Sequence, residues 1–160
     1  MPGSSYLVDT NILLRLVQPD SPEYGTIRQC TDRLWAQGAD LFYTSQNLAE
    51  FWNVCTRPAD RNGFGFSVAE TDERAALIES KFSFAADSEA THQEWRRIVV
   101  AAGVSGIQVH DARMVAAMRV HGIANLLTLN AKDFRRFSGI TVLSPDDVLP
   151  DALFDLGSLS

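Results

Sequence analysis

The chain predicts an α/β domain, a three-layer α/β/α sandwich around a central, mainly parallel sheet. Short apolar runs at Tyr6–Val8, Leu41–Thr44, Asn125–Leu129 and Ile140–Leu143 have the length of strands. Longer segments between them repeat apolar residues at helical spacing, and strands that alternate with helices build a parallel sheet covered on both faces. The length of 160 residues is one domain's worth of chain, enough to bury a core without disulfide or metal staples.

Taken in order, the first strand ends at Asp9, and Thr10 or Asn11 caps a leucine-rich helix reaching Val17. Ile27, Cys30 and Leu34 mark the buried stripe of a helix over 22–37, closed by Gly38. After the second strand Ser45 caps a helix in which Leu48, Phe51, Trp52 and Cys55 follow the i, i+3, i+4, i+7 pattern, and Arg57-Pro58 stops it. The stretch Ala59–Ser67 reads as a mobile loop, since its glycines are too few and wrongly placed to cradle a phosphate. Val68–Phe82 and Ser88–Ala102 are amphipathic helices, the second burying Trp95, Ile98, Val99 and Ala102. Ile107–Val109 reads as a short extended piece, followed by a helix over Asp111–His121 with Gly122 beyond it. Lys132–Phe137 gives a helical turn or two before the last strand. Residues 1–147 are assigned to the domain, and the acidic, proline-containing stretch 148–160 to a loosely held tail.

Composition narrows the function classes. With 20 acids against 14 bases, the net charge of −6 argues against binding nucleic acid by bulk charge. The bases are 12 Arg and only 2 Lys, a ratio that an Arg-rich phosphate-binding surface and a skewed genomic composition explain equally well. Cys30 and Cys55 lack the paired spacing of a zinc site, and each falls on the apolar stripe of its own helix. No apolar run is long enough to span a bilayer, and no charged segment followed by an apolar one marks a secretory signal, so a cytoplasmic protein without a membrane partner is expected.

In parallel α/β sheets the functional crevice lies at the carboxyl ends of the strands. Asp9 follows the first strand directly, and Asn130 and Asp133 follow the strand over Asn125–Leu129. Asp111 opens a helix, and Glu50 lies in the helix after the second strand. Each has a plain structural reading. Asp9, Asp111 and Asp133 suit helix caps or first-turn charges. Glu50 falls opposite its helix's apolar stripe, which makes it solvent-exposed. As a set they say more. Three or four carboxylates within about 4–6 Å raise one another's pKa, and a hard cation that prefers oxygen ligands relieves the repulsion.

Four segments carry a resemblance: Leu7-Val8-Asp9-Thr10-Asn11-Ile12, Asn47-Leu48-Ala49-Glu50-Phe51, His110-Asp111-Ala112, and Leu127-Thr128-Leu129-Asn130-Ala131-Lys132-Asp133-Phe134. In order and spacing they resemble the four motifs of the PIN-domain family, and within it the VapC-type toxin ribonucleases of prokaryotic toxin–antitoxin pairs. The resemblance runs from about Tyr6 to Asp147. It implies Mg²⁺- or Mn²⁺-dependent cleavage of RNA that leaves a 5′-phosphate and a 3′-hydroxyl. Asp9, Glu50 and Asp111 match the metal-binding carboxylates. Many relatives place a further acid where this chain has Asn130, so either Asp133 supplies the fourth catalytic carboxylate or Asn130 hydrogen-bonds a metal water. Thr10, Asn11 and Thr128 match supporting positions.

The resemblance also implies an RNA substrate, a small antitoxin partner and a homodimer. Arg113, Arg119, Lys132, Arg135 and Arg136 are candidates for a basic rim along the RNA backbone, or are simply solvated helix charge. His110 is read as a helix-entry residue. Two other readings stay open. One is a catalytically idle PIN fold that binds RNA or a protein. The other is a phosphatase of the haloacid dehalogenase type, which wants a second acid where Asn11 stands.

Overall fold

In the computed structural model, which describes residues 3–150, five strands form one all-parallel sheet. They are β1 (Ser5–Val8), β2 (Asp40–Thr44), β3 (Ser83–Ala85), β4 (Asn125–Leu127) and β5 (Thr141–Leu143), in the spatial order β3-β2-β1-β4-β5. Tyr6 of β1 stands opposite Leu41 of β2 on one side and Asn125 of β4 on the other. Helices α1 (Thr10–Leu16), α2 (Tyr24–Ala36), α3 (Ser45–Thr56), α4 (Val68–Lys81), α5 (Glu89–Ala102), α6 (Gln108–His121) and the single turn α7 (Pro145–Val148) cover it.

The period of two along the strands sorts these helices into layers. Val8, Leu41, Tyr43 and Leu127 face one way, into a core completed by Ile12, Ile27, Leu34, Phe51 and Ile78 of α1 to α4. Leu7, Ala85 and Leu126 face the other way, against Ile98 of α5 and Met114, Val115 and Met118 of α6. Fully burying an aliphatic side chain of this kind is worth roughly 1.5–3 kcal/mol. Two such cores, one on each face, make the sandwich that the alternation of elements predicts. Among the described residues no helix is long and apolar enough to cross a membrane.

The structure departs from expectation in six places. Helix α1 is capped by Asp9, whose side chain accepts from Thr10 N, rather than by Thr10 or Asn11. Strand β3 was not foreseen. It is three residues long, and it leaves Phe84 half-exposed at the sheet edge, so no alternation betrays it. Ile107–Val109 is not extended but the start of α6, with Val109 N and His110 N donating to Gly106 O and Ile107 O. A three-residue apolar run fits a strand or a helical turn equally well. Helix α3 is capped by Thr44 rather than Ser45, through a reciprocal box with Asn47. The loop after α3 is tied back onto that helix rather than loose: Phe64 N, Gly65 N and Phe66 N donate to Val54 O, Arg57 O and Cys55 O. Finally, Val148 packs on the first core and Leu149 is only 3% exposed, so the ordered domain runs past the expected boundary at 147. The remaining tail, from 151, lies outside the described residues.

Candidate active site

The chain leaves central β1 for β2 on one side and reaches β4 on the other, so the carboxyl ends of β1 and β4 border the crevice where parallel α/β sheets bind ligands. Asp9 is the first residue beyond β1 and also the N-cap of α1. Its Oδ1 accepts from Thr10 N at 2.7 Å and its Oδ2 from Thr128 Oγ1 at 2.7 Å. Its own N–H donates to Leu127 O at 2.9 Å, which fixes Asp9 to the end of β4. The capping role and the site role coexist in one side chain.

Glu50 is half-buried rather than solvent-exposed. Thr10 Oγ1 donates to its Oε2 at 2.7 Å, and Gln46 Nε2, one turn earlier on α3, donates to its Oε1 at 2.9 Å. The helical wheel gave the wrong answer because it scored only the apolar stripe of α3. The adjoining polar face of that helix lies against Thr10 of α1, a contact made by hydroxyl and carboxylate. Behind it Asn47, fully buried, donates to Thr10 Oγ1 at 3.1 Å and to Met114 Sδ at 3.3 Å. Asn47 and Gln46 were not singled out from the sequence. The Thr44…Asn47 spacing of a capping box was the available signal for Asn47.

Asp111 lies in the first turn of α6, half-buried. Burial, and then the charges of Asp9, Asp133 and Glu50, push its carboxyl up to about 6, against a smaller opposing pull from His110. Asp9 is also raised, by burial first, despite the hydrogen bonds from Thr128 and Thr10, with Glu50 and Asp133 adding to the rise. Asp133 is exposed on the 3₁₀ turn Ala131–Asp133. It acts on Asp9 and Asp111 through its charge. The four predicted carboxylates, from four separate parts of the chain, therefore share one electrostatic site.

The supporting residues divide. Asn11 Oδ1 accepts from Leu129 N at 3.4 Å, joining α1 to the segment after β4. The Asn130 side chain makes no capping bond, while its backbone N–H donates to Thr128 Oγ1 at 3.0 Å. Thr128 Oγ1 thus accepts a hydrogen bond from the Asn130 backbone and donates one to Asp9. Arg113, Lys132, Arg135 and Arg136 are exposed, and Arg136 touches Gln108 at the start of α6. Arg119 is committed elsewhere, to Glu94 at 3.2 Å and Ser138 O at 2.6 Å.

The donor set toward the crevice is all oxygen, which suits a hard divalent cation. Gln46 Oε1, beside Glu50, is buried with no hydrogen-bond partner and so adds an unmet acceptor. Among the described residues no group of three or more His, Cys, Asp or Glu side chains is placed to hold a metal ion as it stands.

The sequence pattern of the PIN domain matches residues 6–140. The chain belongs to the PIN domain family. Its fold is similar to that of VapBC2 from Rickettsia felis bound to a promoter DNA fragment, at a TM-score of 0.64 and 17% identity over 88% of this chain and 98% of that one. It is also similar to a toxin–antitoxin complex from Klebsiella pneumoniae, at 0.61 and 20% over 88% and 97%. A third similar structure is Mycobacterium tuberculosis VapC20, described as a sarcin-ricin loop cleaving toxin, at 0.54 and 23% over 76% and 86%. A comparison with curated proteins finds no match. In this PIN domain the four motif segments identified from the sequence meet at the crevice between β1 and β4, where the raised carboxyls stand.

Proposed function

We propose that this PIN domain is a metal-dependent endoribonuclease, the toxin of a toxin–antitoxin pair. In it Asp9, Glu50 and Asp111 hold Mg²⁺ or Mn²⁺, and Asp133 serves as the fourth catalytic carboxylate. The observation that carries this reading is that Asp9 at the end of β1, Glu50 on α3, Asp111 in the first turn of α6 and Asp133 after β4 gather in one place, where burial first and then neighbouring acids raise the carboxyls of Asp9 and Asp111. Such a gathering is unfavourable by itself and becomes favourable with a dication among the acids. Asp133 takes the fourth role over Asn130 because its charge reaches both raised carboxyls.

A bound cation supplies an activated water and charge stabilisation at the leaving oxygen of a phosphodiester. The chain's own residues orient and hold. Thr10 N and Thr128 Oγ1 each donate to one oxygen of Asp9, leaving each oxygen further acceptor capacity. The Thr10 hydroxyl, kept in place by Asn47, fixes Glu50 together with Gln46. Arg113, Lys132, Arg135 and Arg136 form the cationic rim along which an RNA backbone approaches an otherwise acidic crevice.

The substrate class is RNA in the cytoplasm, and a structured RNA loop is consistent with what one structural neighbour is described as cleaving. A small antitoxin is the expected protein partner, since several neighbours are toxin–antitoxin complexes. A homodimer is the expected assembly.

The test is Mn²⁺ titration by calorimetry on wild type and Asp9→Asn, with RNA cleavage measured on the same samples. Wild type should bind Mn²⁺ and cut RNA. Asp9→Asn should lose both while keeping its far-UV circular dichroism. Undiminished cleavage by Asp9→Asn overturns the assignment. A wild type that neither binds Mn²⁺ nor cuts RNA leaves a PIN fold used for binding.

A further inference from the structure

Beside the carboxylates lies a cavity of about 210 Å³ that the reaction outlined above leaves unused. Its walls include Asp87 beyond β3, His92 and Trp95 of α5, and His110 and Arg113 of α6. Two hydrogen bonds tie it to the acidic crevice. Ser45 Oγ, at the start of α3, donates to Asp87 Oδ2 at 2.7 Å. Gln46 Nε2, which also holds Glu50, donates to His110 O at 3.0 Å. His110 and Arg113 lie one residue before and two after Asp111, so α6 contributes side chains both to the cavity and to the acidic crevice.

The walls suit one flat polar ring. Trp95 and His92 stand 5.8 Å apart at 37°, and the indole is fixed by its N–H to Val109 O at 2.8 Å, so an aromatic face is preset. Stacking a base on such a face is worth about 1–3 kcal/mol. The volume lies below the roughly 300–1,000 Å³ of sites for drug-sized ligands, the scale of a single nucleobase. Arg113 is half exposed and spends one nitrogen on Asp87 at 3.2 Å, which leaves other donors of its fork for a phosphate oxygen.

Asp87 provides the discrimination. Its Oδ2 accepts from both Ser45 and Arg113, whereas its Oδ1 has no hydrogen-bond partner among the described residues. A carboxylate oxygen beside a stacking face favours an edge rich in N–H donors and repels carbonyls. Guanine presents two adjacent N–H donors on its Watson–Crick edge. Adenine and cytosine set a ring acceptor beside their amino group, and uracil flanks its single N–H with two carbonyls.

We propose that this cavity is a base-reading subsite for a guanine adjoining the cleaved phosphodiester, stacked on Trp95, read by Asp87 and held at its phosphate by Arg113. The assignment rests on the ribonuclease reading and specifies which nucleotide that site selects.

Two measurements test it on the full chain. The first is cleavage of a randomised-sequence RNA in Mn²⁺, with product ends sequenced. Wild type should enrich guanine about tenfold at one fixed position beside the cut, the scale of one well-made carboxylate–base contact. Asp87→Ala should flatten that enrichment whatever it does to the rate. The second uses the four nucleoside 5′-monophosphates as probes of metal-free protein by NMR. GMP should shift the Trp95 indole resonance at lower concentration than the other three, and Asp87→Ala should erase the difference. Cleavage without a guanine preference, or a preference that survives Asp87→Ala, overturns the subsite and leaves the ribonuclease standing. GMP-selective shifts in a protein that cuts no RNA support the subsite and overturn the ribonuclease.

Discussion

Asn47 shows how much one uncharged side chain contributes to an acidic site. Its Oδ1 accepts from Thr44 N and Thr44 Oγ1, both at 2.9 Å, and its Nδ2 donates to Thr10 Oγ1 at 3.1 Å. Because that hydroxyl oxygen accepts a hydrogen bond from Asn47, its own O–H is left to donate to Glu50. Asn47→Ala leaves Thr44 N buried without its acceptor and lets Thr10 rotate away from Glu50. We expect a loss of about 1–3 kcal/mol in urea unfolding, together with weaker Mn²⁺ binding. An unchanged unfolding midpoint would contradict this role. At this scale Asp9 was legible because a single acid at a strand end has one place to go. Glu50 was legible only through the family motif. Its orientation depends on a hydroxyl 40 residues away in the chain, which helical periodicity does not encode.

Among the elements, the segment after α3 gives the clearest contrast between apparent and actual freedom. Its Asn-Gly-Phe-Gly-Phe composition reads as loose chain, yet Gly63 N donates to Pro58 O at 3.0 Å and the Arg57 guanidinium donates to Asn62 O at 2.9 Å. A Cβ placed on Gly63 would come within 1.9 Å of Arg57 O, a backbone atom that cannot swing aside. Glycine is required there by close approach. Gly25, by contrast, is exposed on α2, and a Cβ there meets nothing within 4 Å. Opposite signs follow in thermal unfolding. Gly63→Ala should destabilise by about 1–3 kcal/mol through overpacking, and Gly25→Ala should stabilise by up to about 1 kcal/mol through helix propensity. Equal effects at the two positions would refute the pinned loop. The long helices and four of the strands were readable because their apolar periods are set by faces they bury. β3 and the first turn of α6 were not, being too short for any period to show.

For the molecule as a whole, the sheet order decides where negative charge accumulates, and a stability cost follows from it. The carboxyl ends of β1 and β4, with the middle of α3 and the first turn of α6, bring acids into one crevice of a chain that already carries a net charge of −6. Asp111 is raised from 3.8 to about 6. An acid whose folded pKa lies above its unfolded one binds its proton more tightly when folded, so protonation favours the native state. That contribution is complete below about 3.8 and is lost as pH climbs through about 6. Metal-free protein at neutral pH therefore holds Asp111 ionised at a cost, and Asp111→Asn, which cannot ionise, escapes it. The shift corresponds to roughly 3 kcal/mol at about 1.4 kcal/mol per unit, reduced to about 1–2 kcal/mol by solvent screening of a half-buried group. In EDTA, Asp111→Asn should thus be more stable than wild type at pH 7.5, and the gap should close as pH falls to 4.5. Saturating Mn²⁺ at pH 7.5 should reverse the order, since a cation stabilises the state that binds it, and only wild type keeps the full set of acids. A gap between the two proteins that ignores both pH and Mn²⁺ would mean that the acids of this crevice do not act on one another.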